Sequence, residues 1–283
     1  MSREQWIQAN VALSRRPDAL TSARAVFAKL SERLPQWRRQ RRVTCVFFTR
    51  KPPDLRLRLR VAGTSKQVRA ELLAMLRGLR RAGALTRFFF SVYEPEIHLF
   101  GGLAAMQLVH RHFDADTIGW MELDTLAQTG QRTTLAPDAI SNAVLNDLFL
   151  RTIADRFEVW DVWRNLAALN DAQRFGCNEP FVANDIASLL PRLSVTEART
   201  LHRYARANSA LADGLRRLND GGRLHVGLRG LLPFIAMFHL NRHGYDQARQ
   251  ANLTLAMCHA WDPHAALHGF APDSPNAQTK RTD

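Results

Sequence analysis

The sequence is poor in cysteine: Cys45, Cys177 and Cys258 are the only three in 283 residues. Their odd number, wide spacing and lack of a C-x-x-C pair support neither a zinc site nor a disulfide framework. No apolar run reaches the roughly 18 to 20 residues that a membrane-spanning helix needs. The N-terminus lacks the apolar segment of a secretory signal. We therefore expect free thiols, no membrane association and a cytoplasmic location.

Lysine is scarce as well, because only four of the 39 basic residues are lysines: Lys29, Lys51, Lys66 and Lys280. The formal charge is nonetheless +13, and it comes almost entirely from arginine. An arginine-heavy composition often reflects a GC-rich genome, so part of this excess carries no functional information. A positive field suits an anionic partner such as tRNA or an acidic leader peptide. No nucleic-acid motif is visible, so a solvated basic face is favoured over direct tRNA binding.

The patterns predict an α+β fold, in which an N-terminal mixed sheet with packed helices is followed by a mainly helical C-terminal half. We expect an α+β region at 1–125, a helical region at 126–265 that completes the same compact unit, and a flexible tail at 266–283. Helical spacing recurs over 18–34, 65–82, 102–113, 137–170, 181–190, 195–218 and 228–261. Strands are predicted over 43–50, 55–61 and 88–93, and residues 2–12 fit either a strand or a short helix.

Residues 55–61 alternate leucine with arginine, which places Arg56, Arg58 and Arg60 on one face of a strand. The turn at 51–54 joins this strand to 43–50, which predicts a β-hairpin. Guanidinium groups on one face suit carboxylates or a developing enolate, because they bind such charges in a bidentate manner. An ordinary solvent-facing strand surface is the alternative. Ser194 and Glu197 form a predicted capping box at the start of a later helix.

Three stretches resemble the lantibiotic dehydratase C-terminal domain, which also occurs alone in thiopeptide-type bacteriocin biosynthesis proteins. Residues 47–58 read FFTRKPPDLRLR and are similar to its F-x-R-Y-x-D-P-x-x-H-L-R-L-R segment. Residues 93–102 read YEPEIHLFGG and resemble its Y-E-P-E-x-x-R-Y-G-G, followed by FDADT for its F-x-A-D-S at 113–117. Residues 238–244 read FHLNRHG and match its late H-M-x-x-N-R-L-G element. The resemblance runs from about Trp6 to Trp261.

The resemblance implies an enzyme that matures ribosomally made peptides. Its expected activity is a carbon–oxygen lyase reaction, in which glutamate is eliminated from glutamylated serine or threonine to leave dehydroamino acids. Related stand-alone proteins instead catalyse a formal [4+2] cycloaddition between two dehydroalanines, which forms a pyridine ring. A third reading, from a different class, is a non-catalytic scaffold that binds the leader peptide or completes a larger synthetase. Elimination is narrowly favoured over cyclisation.

The resemblance also implies site residues. Arg56 and Arg58 match the paired arginines of the family, which would hold glutamyl carboxylates or the oxyanion, and His239 matches its histidine, which suits proton transfer near neutral pH. We expect these three catalytic side chains to line one cleft. A buried, hydrogen-bonded core histidine is the alternative for His239. The predicted substrate-binding residues are Glu94, Glu96, His98, Asn241 and Arg242.

Two departures from the family pattern bear on the activity. Leu99 and Phe100 replace the arginine and tyrosine of R-Y-G-G, and Asp54 replaces the histidine of H-L-R-L-R. The missing arginine would be expected to carry substrate charge in an eliminase, so its loss counts against elimination and leaves the fold unaffected. Adjacent His98 could compensate as a smaller donor.

The expected partners are a precursor peptide with its leader and, for elimination, a separate glutamylating dehydratase subunit. A homodimer is one option for the oligomeric state. No organic cofactor is implied, and no metal site is predicted, because His110 and His112 lie two apart on a helix and face different ways.

Overall fold

A computed structural model describes residues 5–63, 65–131, 135–175 and 185–264. Its sheet consists of β1 (Gln5–Leu13), β2 (Val43–Lys51), β3 (Asp54–Val61) and β4 (Leu85–Ser91). The strand order is β2-β3-β1-β4. The α+β class is confirmed, and every strand pair is antiparallel, so the described sheet is not mixed as expected. The segment that fitted a strand or a helix is the central strand β1, and the predicted hairpin of β2 and β3 is confirmed.

Nine α-helices follow in the described residues: α1 (Ala19–Arg39), α2 (Ser65–Arg81), α3 (Leu103–Gln128), α4 (Pro137–Ile153), α5 (Arg156–Leu169), α6 (Ile186–Leu189), α7 (Val195–Asp220), α8 (Leu228–Arg242) and α9 (Gln247–Trp261). The capping box is confirmed at α7, where Ser194 Oγ accepts from the Glu197 amide and Glu197 Oε2 accepts from the Ser194 amide. Within the described residues, no helix is long and apolar enough to span a bilayer.

Some helix boundaries differ from the predicted ones for local reasons. The segment 137–170 divides because Ala154 adopts a left-handed conformation with φ 63° and Asp155 caps the next helix. The segment 228–261 divides at Gly244, with φ 81°, and Asp246 caps α9. Helix α3 continues well past residue 113. Three parts of the predictions lie outside the described residues: Cys177, residues 181–184 of one predicted helix, and the whole predicted tail at 266–283.

Both faces of the sheet are covered. Leu55, Leu57 and Leu59 pack in one core with α1 and α2. The opposite face, which carries the arginines of β3, lies against a second core that includes Phe47 of β2 and side chains of α3 and α8. The expectation that this face could be an ordinary solvent-exposed strand surface is therefore wrong, since Arg58 is only 3% exposed.

Helices α3 and α8 also close the outer edge of β2. The Val46 amide donates to Asp114 Oδ1 at 2.7 Å, and the Arg50 amide donates to Asn241 Oδ1 at 2.7 Å. Asn241 Nδ2 in turn donates to the Arg50 carbonyl at 2.9 Å. Side chains thus satisfy backbone groups that an edge strand would otherwise expose.

Candidate functional site

A buried carboxylate joins α3 to α8. Asp116 has no exposed surface, and its Oδ2 accepts a hydrogen bond from Arg242 Nε at 2.7 Å. Its Oδ1 lies 2.9 Å from His239 Nδ1 and 3.2 Å from His243 Nε2, and it accepts from the Tyr204 hydroxyl of α7 at 2.9 Å. His239 and Arg242 of α8 and the C-cap residue His243 meet one carboxylate, because positions three and four apart share a helix face.

The charges of this network compensate one another. Burial would raise the pKa of Asp116, but His239 and Arg242 hold it well below its usual value. Burial, with the neighbouring His239, lowers the pKa of His243 to about 4, so this ring is neutral at pH 7. Burial also raises the pKa of Tyr204, and Asp116 adds to the effect. Asp116 is therefore an ionised carboxylate of α3 that is held by donors from α7 and from the end of α8.

Asp116, His239 and His243 also offer ligand atoms within 4.8 Å of one another, a spacing that could hold a metal ion. The oxygens of Asp116 already accept hydrogen bonds from Arg242 and Tyr204, and the guanidinium balances the carboxylate charge. An ion-paired network therefore accounts for this cluster without a cation. Several donor-capable atoms remain buried without a hydrogen-bond partner in the described residues: His112 Nδ1, His239 Nε2 and both terminal nitrogens of Arg242.

A second buried cation lies on the sheet. Arg58 Nε donates to Gln8 Oε1 at 2.7 Å, and its Nη1 donates to Thr49 Oγ1 at 3.1 Å. Its guanidinium carbon lies 4.7 Å from the ring centroid of Tyr93 and 5.1 Å from that of Phe47. Burial lowers the pKa of Arg58, against the opposing influence of Tyr93 and Glu96. Among the described residues no carboxylate forms an ion pair with it.

Polar side chains continue from Arg58 toward the β4 edge. Gln8 Nε2 donates to Ser91 Oγ at 2.7 Å, and Asn10 Nδ2 donates to the same hydroxyl at 2.8 Å. We call Arg58, Gln8, Asn10 and Ser91 the polar row. The row ends at a cleft of about 530 Å³, the edge cleft, which is lined by Gln5, Trp6, Arg69, Phe90, Ser91, Val92 and Tyr93.

A tyrosine–histidine pair borders the same region. The Tyr93 hydroxyl lies 2.9 Å from His110 Nε2, and Trp6 packs against both rings. Burial lowers the pKa of His110 to about 4, assisted by Arg60 and Arg58, and burial raises the pKa of Tyr93. We therefore assign a neutral imidazole whose Nε2 accepts a hydrogen bond from the Tyr93 hydroxyl, next to the Arg58 cation.

The structure does not bring the three predicted catalytic residues around one open cleft. His239 has no exposed surface and contacts Asp116. Arg242 stacks on Phe113 and Arg58 on Phe47, and these two rings, 5.4 Å apart between centroids, lie between the two cations. Arg56 is half-buried at the hairpin, where its Nε donates to the Pro52 carbonyl at 3.2 Å. The network of Asp116 and the polar row are therefore two neighbouring environments.

The predicted substrate-binding residues are also dispersed. Glu94 and His98 are exposed on the loop between β4 and α3, and Glu96 is half-buried there. Arg242 is fully buried in the Asp116 network. Asn241 bonds the β2 backbone and also lines a separate cleft of about 280 Å³.

Three important residues were not predicted from the sequence. Asp116 is the aspartate of the F-x-A-D-S-like stretch at 113–117, and this match is the signal that could have indicated it. Tyr204 gave no pattern signal beyond the scarcity of tyrosine, of which the chain has three. Gln8 could have been noticed, because a polar residue in an otherwise apolar strand often has a buried partner.

The sequence matches the family model described as lantibiotic biosynthesis dehydratase C-term over residues 6–261. The chain therefore belongs to this family, and the suspected resemblance is confirmed. This membership places it among the proteins of lantibiotic-type peptide biosynthesis. A comparison with curated proteins gave no match.

Solved structures show the same fold at low sequence identity. The tRNA-dependent lantibiotic dehydratase MibB from Microbispora sp. 107891 superposes with a TM-score of 0.62 at 17% identity, over 93% of this chain and 28% of that one. The pyridine synthase TbtD from thiomuracin biosynthesis gives 0.57 at 14%, over 95% of this chain and 100% of that one. TsrL gives 0.52 at 15%, over 97% and 100%. The chain thus spans about a quarter of the MibB chain and the full length of the other two.

Proposed function

We propose that the protein eliminates glutamate from glutamylated serine or threonine residues of a precursor peptide. The observation that carries the proposal is Arg58, a buried guanidinium with neutral hydrogen-bond partners and no ion-paired carboxylate among the described residues. A buried cation without a counter-charge is costly, and an anionic substrate group would offset that cost. Glutamate supplies such a group both in the ester-linked substrate and as the leaving carboxylate.

The reaction removes the α-proton of the modified residue, forms the Cα=Cβ bond and breaks the Cβ–O bond, so that glutamate departs as a carboxylate. Arg58 would stabilise the negative charge on this leaving group, with half-buried Arg56 on the same sheet face. The proposal covers the elimination step alone, and a separate glutamylating subunit would supply the glutamylated peptide.

His239 enters the proposal as the proton acceptor. Its Nδ1 faces the carboxylate of Asp116, so Nδ1 carries the proton and Nε2 is the basic nitrogen. Nε2 has neither a hydrogen-bond partner among the described residues nor an exposed surface. Proton transfer through this atom requires the packing above it to open when the peptide binds.

A ring-forming cycloaddition is the second candidate. Leu99, in place of the family arginine, is half-buried and packs against the apolar core, which removes a charge that glutamate binding would use. The pyridine synthase TbtD also shares the fold, over 95% of this chain and 100% of its own. Dehydrated peptide would then be the substrate, and Arg58 would stabilise charge in the ring-closing step.

The deciding experiment is mass spectrometry of a leader-bearing precursor peptide, glutamylated on one serine, after incubation with the protein. Loss of the glutamate mass with formation of dehydroalanine supports elimination. An unchanged glutamylated peptide, with conversion of a peptide that carries two dehydroalanines, supports cycloaddition and contradicts elimination. Binding without any mass change on either peptide supports the scaffold reading.

The matched variants are Arg58→Gln and Arg87→Gln. Both remove one arginine charge from the same sheet face, but Arg87 lies exposed on β4. With the peptide at saturation, elimination predicts about a 100-fold loss of rate for Arg58→Gln and little change for Arg87→Gln. Equal rates for both variants would remove Arg58 from the mechanism.

A further inference from the structure

The two edges of the sheet differ. Side chains of Asp114 and Asn241 close the outer edge of β2 with hydrogen bonds to its backbone. At the other edge, side chains of β1 bond the backbone of β4 and of the residue after it: Asn10 Nδ2 donates to the Phe89 carbonyl and Gln8 Nε2 to the Val92 carbonyl. Both bonds come from the inner neighbour of β4. No described strand pairs with the outer side of β4.

Strand β4 has one irregularity, a register shift opposite Ala12 and Leu13, but the run Phe88–Phe90 beyond it lacks the other devices that usually discourage pairing. Edge strands are commonly shortened, bulged, covered or interrupted by proline and inward charges. Strand β4 has seven residues and contains the apolar run Phe88–Phe90. Phe89 is 46% exposed, and Val92 just beyond the strand is 79% exposed. These features are typical of an edge that accepts an added strand.

Charge indicates what kind of strand would bind. Residues 5–91 contain 20 arginine and lysine residues but only four aspartate and glutamate residues. Arg87 is exposed on β4, and the Arg69 guanidinium stacks on Phe90 at 4.2 Å from its centroid. An anionic extended peptide would therefore be attracted to this edge.

The polar row connects the edge with Arg58. Arg87, Phe89 and Ser91 share one face of β4, and that face is also the one that Gln8 and Arg58 occupy on β1 and β3. The side chains of an added strand on this face would stand beside Ser91, on the same side of the sheet as Gln8 and Arg58. A glutamyl ester on such a side chain would therefore lie on the side of the sheet that carries the Arg58 cation.

We propose that β4 binds an extended, anionic segment of the substrate peptide by strand addition, so that alternate side chains of the peptide lie on the face of the polar row. This inference rests on the proposed function for the identity of the peptide. The binding mode itself can be tested without turnover, because main-chain hydrogen bonds and alternating side chains carry it.

The probe is a fluorescein-labelled (Thr-Glu)5 peptide, measured by fluorescence anisotropy against the full chain. Two further versions carry N-methyl groups on all threonines or on all glutamates. An added strand directs alternate amides toward β4, so one version should lose at least about tenfold in affinity while the other stays within about twofold of the parent. Equal affinities of the two methylated versions, whether both high or both low, would overturn strand addition.

The matched protein variants are Val92→Glu and Val195→Glu. Both valines are 79% exposed, but Val195 begins α7, away from the sheet. Val92→Glu should weaken binding of the parent peptide by at least about fivefold through like-charge repulsion, and Val195→Glu should leave it unchanged. Equal effects of both changes would overturn the location.

A second copy of this chain is the alternative occupant of the β4 edge. Sedimentation with and without the peptide distinguishes the two, because a dimer that the peptide does not dissociate would overturn peptide binding at β4. The inference and the proposed function fail separately. Register-specific binding without elimination would refute only the function, and elimination without register-specific binding would refute only strand addition.

Discussion

Arg242 and Asp116 form a salt bridge of 2.7 Å in which neither side chain has any exposed surface. The pair connects α8 with α3, two helices that are distant in sequence. His239 and Tyr204 also form hydrogen bonds with the carboxylate. Removing one member of a buried ion pair is costly, because the other charge is left without compensation. The pair therefore contributes to both stability and the position of His239.

Asp116→Asn should lower the free energy of unfolding by about 3 to 5 kcal/mol, since Arg242 would keep its charge in a closed site. The control is Asp213→Asn, which removes an exposed pair with Arg216 and should cost at most about 0.5 kcal/mol. Urea denaturation measures both. The double change Asp116→Asn with Arg242→Met should cost less than the sum of its single changes, and strict additivity would contradict coupling.

Arg58→Met should behave differently from Arg242→Met. Replacing Arg58 removes a buried charge that has only neutral hydrogen-bond partners, so the free energy of unfolding should change by no more than about 1 kcal/mol. Arg242→Met should lower the free energy of unfolding by about 3 kcal/mol or more, because it leaves the buried Asp116 carboxylate without its cationic partner. Comparable losses in denaturant titrations would show that Arg58 is structural and would argue against an anion-binding role.

Stability should fall as pH decreases from 6.5 to 4. Burial lowers the pKa of His112 to about 4 from 6.5, as it does for His110 and His243. In this window the unfolded histidines bind protons that the folded ones exclude, so the free energy of unfolding decreases by up to about 1.4 kcal/mol per pH unit for each ring.

His112→Leu tests this origin of the pH dependence. The Nδ1 atom of His112 has no hydrogen-bond partner among the described residues, so an apolar side chain suits the site. Urea titrations at pH 6.5, 5.5 and 4.5 give the slope of the unfolding free energy against pH. For the variant this slope should be smaller by the contribution of about one proton. An unchanged slope would mean that His112 titrates normally in the folded protein.

Gly119→Ala should be destabilising, because a Cβ atom at this position would overlap the Tyr204 ring. Overpacking of this kind costs about 1 to 3 kcal/mol and would move the hydroxyl that donates to Asp116. Gly78→Ala is the matched control on α2. Nothing lies within 4 Å of its Cβ position, so that change should stabilise by about 0.5 to 1 kcal/mol. Thermal or urea unfolding separates the two, and a neutral Gly119→Ala would contradict close packing here.

Local patterns predicted much of the fold. The β2–β3 hairpin followed from alternation around a proline turn, and the Ser194 capping box followed from spacing alone. Alternation also assigned Arg58 to one sheet face, but it could not show that α3 and α8 cover that face. Such coverage depends on residues that are far away in sequence.

The candidate site was harder to predict for the same reason. Asp116 acquires its role from Arg242, which is separated from it by 126 positions. The motif at 238–244 indicated His239. The sequence does not reveal that this ring is buried in the core and contacts Asp116. Arg58 differs from Arg56 in burial although both belong to the same alternating pattern.

The closed edge of β2 has a consequence for assembly. Asp114 and Asn241 occupy backbone groups that a neighbouring molecule would need, so the described sheet can gain a strand on one side only. Two copies that met through β4 would leave no free edge on either outer side. Growth by edge pairing therefore ends at two molecules, and the sheet cannot propagate into a fibre.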